Sequence, residues 1–533
     1  MRIVFIFFLS LTSTLVFSQE DAWVYFTIKP NAPTYFASPL QMLSQRALDR
    51  RTRQNIVLDS KDIPIPINYI NQIKAAAGIT VMAKSKWLNA LHVRGTVGAI
   101  NSLKVLSIVE KIVFANRALN PTAKMATIAT PQNRVNKLDT QIEYAYGNSS
   151  NQIKMLNGHL LHQQNYTASD KIIAIMDAGF PGVNSAPPFQ RLRNQNKILG
   201  GYDFVHRSPN FYSGNHHGTM VLSSMGGYQE NALVGTAPDA SYYLFITEDS
   251  ASENPIEESL WVEAAEKADS LGVDVINTSL GYFGYDNPNY SHRYSDMTGD
   301  TNFISKGANI AFSKGMIVVA SAGNEGGTSE PHVGAPAEAK EVIAVGAVTA
   351  SKALASFSSI GPSYDGRVKP DVMAQGQATV LSDEFGTIVT ASGTSFSGPI
   401  MAGMIASFWQ AFPTKTAQEI RRLVQVSADR YASPNSQFGY GIPDFNLALA
   451  NGQLTQNDFL VYPNPSTDEI HFNFPENAIK GTLKVYTVSG QKIIEKYTVN
   501  RFLNLTVTDF PKGFYLYTYE SDGYSKSGKI IIK

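Results

Sequence analysis

Three short stretches carry side chains able to run nucleophilic acyl transfer. Asp177 ends the apolar run KIIAIMD, His217 opens HHGTMV, and Ser395 lies in SGTSFSGP ahead of an apolar helical stretch. A serine hydroxyl is a poor nucleophile until a base takes its proton. Imidazole is such a base near neutral pH, and a carboxylate fixes its tautomer and stabilises the imidazolium. A fourth stretch, SAGNEGG, sets Asn324 just past a β-rich run. A side-chain amide there could donate to an oxyanion beside the Ser395 backbone N–H. A helix N-terminus behind Ser395 adds positive potential at the same place. Singly, each residue has an ordinary alternative. Asp after a strand caps a turn, His217 caps a helix or sits on the surface, a Gly-Thr-Ser turn nests phosphate, and Asn between glycines tolerates left-handed backbone. Together, in the order Asp, His, Ser, they point to one catalytic triad.

The elements that must position these residues are legible as a periodic pattern. Residues 171–177, 241–247, 273–280, 316–323 and 341–348 are near-continuous apolar runs, with helical stretches at Ile256–Ser270 and Asn302–Lys314 between them. Such runs predict a parallel sheet covered by helices on both faces, an α/β domain over residues 142–451. Ligands of an open α/β sheet gather at the C-terminal ends of its strands, where Asp177 and Asn324 fall. Beyond Ser395 the stretch Gly398–Phe412 reads as a helix with Pro399 in its first turn.

The flanks differ in character. Residues 1–18 combine a basic start with an apolar run and end before Gln19, the pattern of a cleaved signal peptide. Residues 19–117 mix strands (Trp23–Ile28, Val105–Phe114) and helices (Pro39–Arg51, Ile67–Ala76), a small α+β unit. Residues 118–141 read as an exposed linker with a processing region, and 457–533 as a small all-β, Ig-like domain. Lys plus Arg and Asp plus Glu both number 44, which gives no electrostatic case for nucleic acid or an anionic membrane. The chain has no cysteine, so thiol nucleophiles, disulfides and Cys-rich zinc sites are excluded. No stretch after the leader is apolar for long enough to span a membrane. The loop Asp286–Asp300 is rich in oxygen ligands. Structural calcium there is left open, because its spacing matches no calcium loop and a solvated turn region explains it as well.

From Lys171 to Ala450 the chain resembles the subtilase family of serine peptidases. Besides the triad stretches it carries GTAPDA (235–240), VINTSLG (275–281), GAPAEAKEVIAVGAV (334–348), FSSIGP (357–362), KPDVMAQG (369–376) and FGYGIPD (438–444). The resemblance implies triad roles for Asp177, His217 and Ser395 and an oxyanion role for Asn324. Of the adjacent histidines, His217 heads the Gly-Thr pair, so His216 is not the catalytic one. It further implies that Ser279, Leu280 and Gly281 pair with substrate backbone, a mode that needs no particular side chain. Ala320, Ser321, Ala322 and Gly323 would form the other wall of the specificity pocket, and Gly334 its floor. Ala178, Met220 and Phe396 depart from the residues common in the family at those places, without deleting a chemical role.

The 19–117 segment is similar to an inhibitory subtilase propeptide. The stretches VYPNPSTDEIHF (461–472), LKVYTVSGQKI (483–493) and FPKGFYLYTYESDGYSKSGKIIIK resemble the sorting domain of type IX secretion in the Bacteroidetes. The expectation is therefore a secreted or surface endopeptidase exported through the periplasm. It would act on proteins or peptides, engage the type IX machinery, and need no cofactor for its chemistry. A surface binding protein on an inactive peptidase scaffold is the alternative, disfavoured because all four catalytic positions are present. An α/β-hydrolase esterase is excluded by the absence of Gly-x-Ser-x-Gly around Ser395.

Overall fold

The computed structural model describes residues 19–120, 144–453 and 459–532, except 463, 465, 467–468, 476–477 and 501. The signal-peptide reading and most of the linker reading fall outside these residues. The N-terminal unit comprises β1 (Gln19–Phe26), α1 (Gln45–Arg53), α2 (Ile67–Lys74), β2 (Ile79–Ser85), β3 (Ala90–Thr96) and β4 (Val109–Phe114). Its strands form an antiparallel sheet in the order β2-β3-β1-β4. Ala22, Val24, Leu91, Val93 and Phe114 point to one face, where they bury Ile73 of α2.

The helix expected over Pro39–Arg51 is divided. Pro39–Gln41 is a single 3₁₀ turn, and α1 starts afresh after Ser44, whose hydroxyl caps it by accepting Ala47 N–H at 3.2 Å. Met42 and Leu43, in the break, turn inward to pack with Ala47 and Ile63.

The central domain comprises β5 (Ile172–Asp177), β6 (Ile198–Asp203), α3 (His217–Gly226), β7 (Ser241–Ile246), α4 (Ile256–Leu271) and β8 (Val275–Thr278). It continues with α5 (Phe303–Ser313), β9 (Ile317–Ser321), β10 (Ile343–Val348), β11 (Val372–Gln375), α6 (Thr394–Gln410) and α7 (Ala417–Val426). The seven strands run parallel in the order β11-β10-β9-β8-β5-β7-β6, with Val275 registered against Ile173 and Ile317. Period-two alternation gives each face its own core. Ile173, Ile175, Val275 and Val319 meet α3 and α6, while Ala174, Met176, Ile276 and Val318 meet α4 and α5. This is the doubly covered parallel sheet the apolar runs predict.

The C-terminal unit is all-β. A sheet of β12 (Leu460–Tyr462), β13 (Glu469–Asn473) and β16 (Phe502–Thr506) accompanies one of β14 (Gly481–Thr487), β15 (Lys492–Thr498), β17 (Gly513–Ser521) and β18 (Tyr524–Ile532). Along β17, Tyr515, Tyr517 and Tyr519 alternate into a core shared with Phe472, Phe474 and Leu483, leaving Phe514 and Leu516 outside. That core includes no residue of the central domain.

Candidate active site

Asp177 ends β5 at the C-terminal edge of the sheet and is wholly buried; His217 begins α3 beside it. His217 Nδ1 lies 2.7 Å from Asp177 Oδ1, which also accepts the Ala178 N–H at 2.8 Å. Asp177 Oδ2 is buried without a hydrogen-bond partner. Burial works against protonation of His217, but the Asp177 carboxylate outweighs it, and the imidazole is held above its ordinary pKa.

Ser395 is the second residue of α6, which starts at Thr394 rather than at Gly398. Pro399 therefore lies inside the helix, not in its first turn. Its missing N–H leaves the Ser395 carbonyl without its helical donor. Ser279 Oγ fills the gap, donating to Ser395 O at 3.0 Å, while Ser395 Oγ donates back to Ser279 O at 3.3 Å. The nucleophile candidate thus rests against β8's extension, and no hydrogen bond joins it to His217 in this conformer. Phe396, the next residue, packs on the His217 ring with centroids 5.9 Å apart. In free enzymes such catalytic hydrogen bonds are often loose and tighten with substrate.

Asn324 follows β9 and is fixed by its oxygen. Oδ1 accepts Thr394 N–H at 2.9 Å and Thr394 Oγ1–H at 3.0 Å, which leaves Nδ2 free to face outward. A methyl placed on Gly393 would stand 3.7 Å from Ser395 N and 3.8 Å from both Asn324 Nδ2 and Asn324 Oδ1, the latter already taken by Thr394. The two donors thus border one space, which glycine keeps open. The same strand end is tied to α6 by Ser321 Oγ–H to Thr394 O at 2.8 Å and Gly323 N–H to Thr394 Oγ1 at 3.2 Å.

A cavity of about 120 Å³ adjoins this space. Its lining includes Ser279, Leu280, Gly281, Ser321, Ala322, Gly323, Gly334, Asn324 and Ser395. Ala320 is not among them, because it is wholly buried in β9 between Thr278 and Ala344. Sequence reasoning missed Phe283, His332 and Ser359, which also line it; Glu325, one residue past Asn324, reaches it as well. Glu338 does not; it is buried against Asn302 and Ser305.

A further group went unnoticed in the sequence. Glu248, two residues past β7, accepts the Tyr282 hydroxyl at 2.8 Å and carries a pKa pushed up to about 8 by burial and by Glu253. Glu257 is raised to about 9 by burial and Glu248. Glu248, Glu253 and Glu257 are the acidic group whose oxygens converge among the described residues. The loop weighed for calcium spends its carboxylates elsewhere. Asp286 accepts Glu253 N–H, Asp296 pairs with Arg117, and Asp300 pairs with Lys340.

The N-terminal unit docks on α4 and α5. Trp23 Nε1–H donates to Ser259 at 2.8 Å and its ring stacks on Phe303 at 5.0 Å. Glu266 receives Ser85 Oγ–H and the N–H groups of Lys86 and Trp87 at 2.7, 3.0 and 2.9 Å. On α1, Arg50 and Arg51, both 1% exposed, converge on the fully buried Asp269. Arg51 also meets Asp62, which pairs with Lys314 at 3.2 Å. Gln54 bridges Gly315 O and Ala417 N.

Comparison with known proteins accounts for all three units. Residues 138–441 match the model of the subtilase family, residues 21–133 that of the peptidase S8 propeptide domain of Bacteroidota, and residues 460–533 that of the secretion system C-terminal sorting domain. Subtilisin NAT of Bacillus subtilis subsp. natto is 33% identical over 299 residues, 56% of this chain and 70% of the relative. A subtilisin of Bacillus pumilus is 32% identical over 299 residues, covering 97% of that protein. The thermostable alkaline protease of Halalkalibacterium halodurans is 26% identical over 291 residues, 54% of this chain and 70% of that protein. The sorting domain marks a secreted or cell-surface protein, and no described helix is long and apolar enough to cross a membrane. With a propeptide before it and a sorting domain after it, the central domain makes the chain a subtilisin-like serine peptidase, a member of the subtilase family.

Proposed function

We propose that Asp177, His217 and Ser395 cleave peptide bonds through an acyl-enzyme, with Asn324 Nδ2 and Ser395 N–H binding the oxyanion. The observation that carries this reading is the shared space beside Gly393, bordered by two donors within 4 Å, directly at the nucleophile's helix start. His217, its tautomer set by Asp177, takes the Ser395 proton once the hydroxyl turns from Ser279 O toward the imidazole. Substrate backbone lies along Ser279–Gly281, and its side chain before the scissile bond enters the cavity above Gly334. Phe283 and Gly334 favour an apolar side chain there, with Glu325 at the rim.

Residues 19–117 act as an inhibitory, fold-assisting propeptide, and residues 118–141 hold the processing region. Residues 457–533 address the catalytic domain to the type IX machinery. A fluorophosphonate probe tests the catalytic reading. It should label the processed enzyme at Ser395 and leave Ser395→Ala, folded but inactive, unlabelled. A folded native enzyme that takes no label would make the domain a binding scaffold.

A further inference from the structure

Away from the catalytic cleft lies a larger cavity, of about 430 Å³, walled by one face of α7 along its length and by the loops before β11 and after α7. Five cations line it: Lys340, Arg367, Lys369, Arg421 and Arg422. They have four carboxylates between them. Lys340 pairs with Asp300, Arg367 Nε with Asp365 at 2.9 Å, Lys369 with Asp371 at 2.7 Å, and Arg421 with Glu341 at 2.5 Å. Arg422 forms no ion pair among the described residues. Asp371 is already committed, since it also accepts Gln425 Nε2–H and Ala344 N–H at 2.8 and 3.0 Å.

Donor capacity is left over as well. Both Nη groups of Arg367 and the Nε groups of Arg421 and Arg422 are shut off from solvent and meet no acceptor. An unpaired buried guanidinium donor is costly, and an oxyanion in the cavity would relieve that cost by drawing these side chains toward it. Lys369, 2% exposed, is held down to about 8 chiefly by burial, with Asp371 opposing that shift and Arg367 and Arg421 adding to it. Tyr431 and Tyr440, ring centroids 5.5 Å apart, add an aromatic wall.

The geometry points to an anion site that takes a phosphate or sulfate group carried on a small polar ring. Arginine forks suit tetrahedral oxyanions, the volume exceeds that of a bare ion, and the tyrosine pair offers a face to a sugar-sized group.

Calorimetric titration of the full chain bearing Ser395→Ala, at constant ionic strength, tests this with inorganic phosphate, glucose 6-phosphate, glucose and phosphatidic-acid vesicles. Saturable binding of a phosphate-bearing probe, tighter than about 1 mM, is expected. Arg422→Gln, and Gln418→Glu on the cavity wall, should each weaken it about tenfold or more, with the melting temperature in phosphate-free buffer unchanged. Tighter binding of glucose 6-phosphate than of inorganic phosphate, with no binding of glucose, is the supporting result. Equal binding of both soluble phosphates, binding of glucose alone, or binding of vesicles alone overturns the sugar-ester assignment. No saturable binding by any phosphate probe to about 10 mM, or binding that neither variant moves, overturns the proposal.

Discussion

Asn324 serves two masters, and its substitutions separate them. Its oxygen anchors the start of α6 through Thr394 N–H and Oγ1–H at 2.9 and 3.0 Å, and its nitrogen borders the space beside Ser395 N–H. Asn324→Ala removes both functions. Losing one of two oxyanion donors costs about 2.7–4 kcal/mol of transition-state stabilisation, so kcat should fall about 10²–10³-fold with KM nearly unchanged. Asn324→Asp keeps the acceptor for Thr394 but offers a carboxylate where the oxyanion forms. If the nitrogen is the working group, aspartate should lose at least as much as alanine, because repulsion is added to the missing donor. Steady-state hydrolysis of a chromogenic peptide by the processed enzyme, titrated for active sites, gives kcat and KM for all three proteins. Recovery toward wild-type kcat in Asn324→Asp would refute the reasoning and make Asn324 an anchor of the helix alone. A loss confined to KM would assign it to substrate binding.

Three further outcomes are expected. Asp269→Ala leaves the buried Arg50 and Arg51 without their shared carboxylate, a loss of about 3–5 kcal/mol; amide exchange across residues 45–53 of the full chain should quicken about 10²–10⁴-fold, and unchanged protection would show that the pairs do not hold the arm. Burial in the docked state raises Glu266 from 4.5 to about 7; docking therefore favours its protonated form, and protection of the Lys86 and Trp87 amides should weaken as pH rises from about 4.5 through about 7, a trend that Glu266→Gln should flatten. Phe396 lies beside the nucleophile candidate and against the His217 ring; Phe396→Met should make the enzyme lose activity faster in peroxide, because a thioether oxidises and phenylalanine does not, and equal loss in both proteins would place the sensitive group elsewhere.

Local pattern carries far along this chain, and its failures share one cause. Runs such as KIIAIMD and EVIAVGAV are strands because only a doubly covered sheet buries so many branched side chains in succession. The cleft residues at 279–281 and 321–323 came from the resemblance to the subtilase family, not from the local pattern. Pro399 was misplaced because a proline normally marks a helix start. Here its lost donor is made good by Ser279, a residue 116 positions from Ser395 that local reading cannot supply. Arg50 and Arg51 close the helix expected over Pro39–Arg51, and nothing local announces that Asp269 comes to them across more than two hundred residues and buries them. Glu248 stayed hidden for the same reason. Nothing in the run TEDSASE announces that Tyr282 and Glu257 will close around it.

The arm that runs from α1 to Gln54 has a consequence for how the peptidase domain comes to exist. It touches Asp269 and Asp274 at the end of α4, Gly315 after α5 and Ala417 at the head of α7, and the loop that follows it holds Lys314 through Asp59 and Asp62. These stations are separated by long loops, whose closure a chain must achieve before any contact between them repays it. One short helix and the loop after it, made before the rest has been synthesised, collect all of them on a single surface. Once the arm is gone, the acids and the lysine it covered become ordinary hydrated charges, and nothing remains to gather the stations again. If the arm leaves with the proposed propeptide, the remaining domain should persist by the slowness of its unfolding and should fail to refold once unfolded.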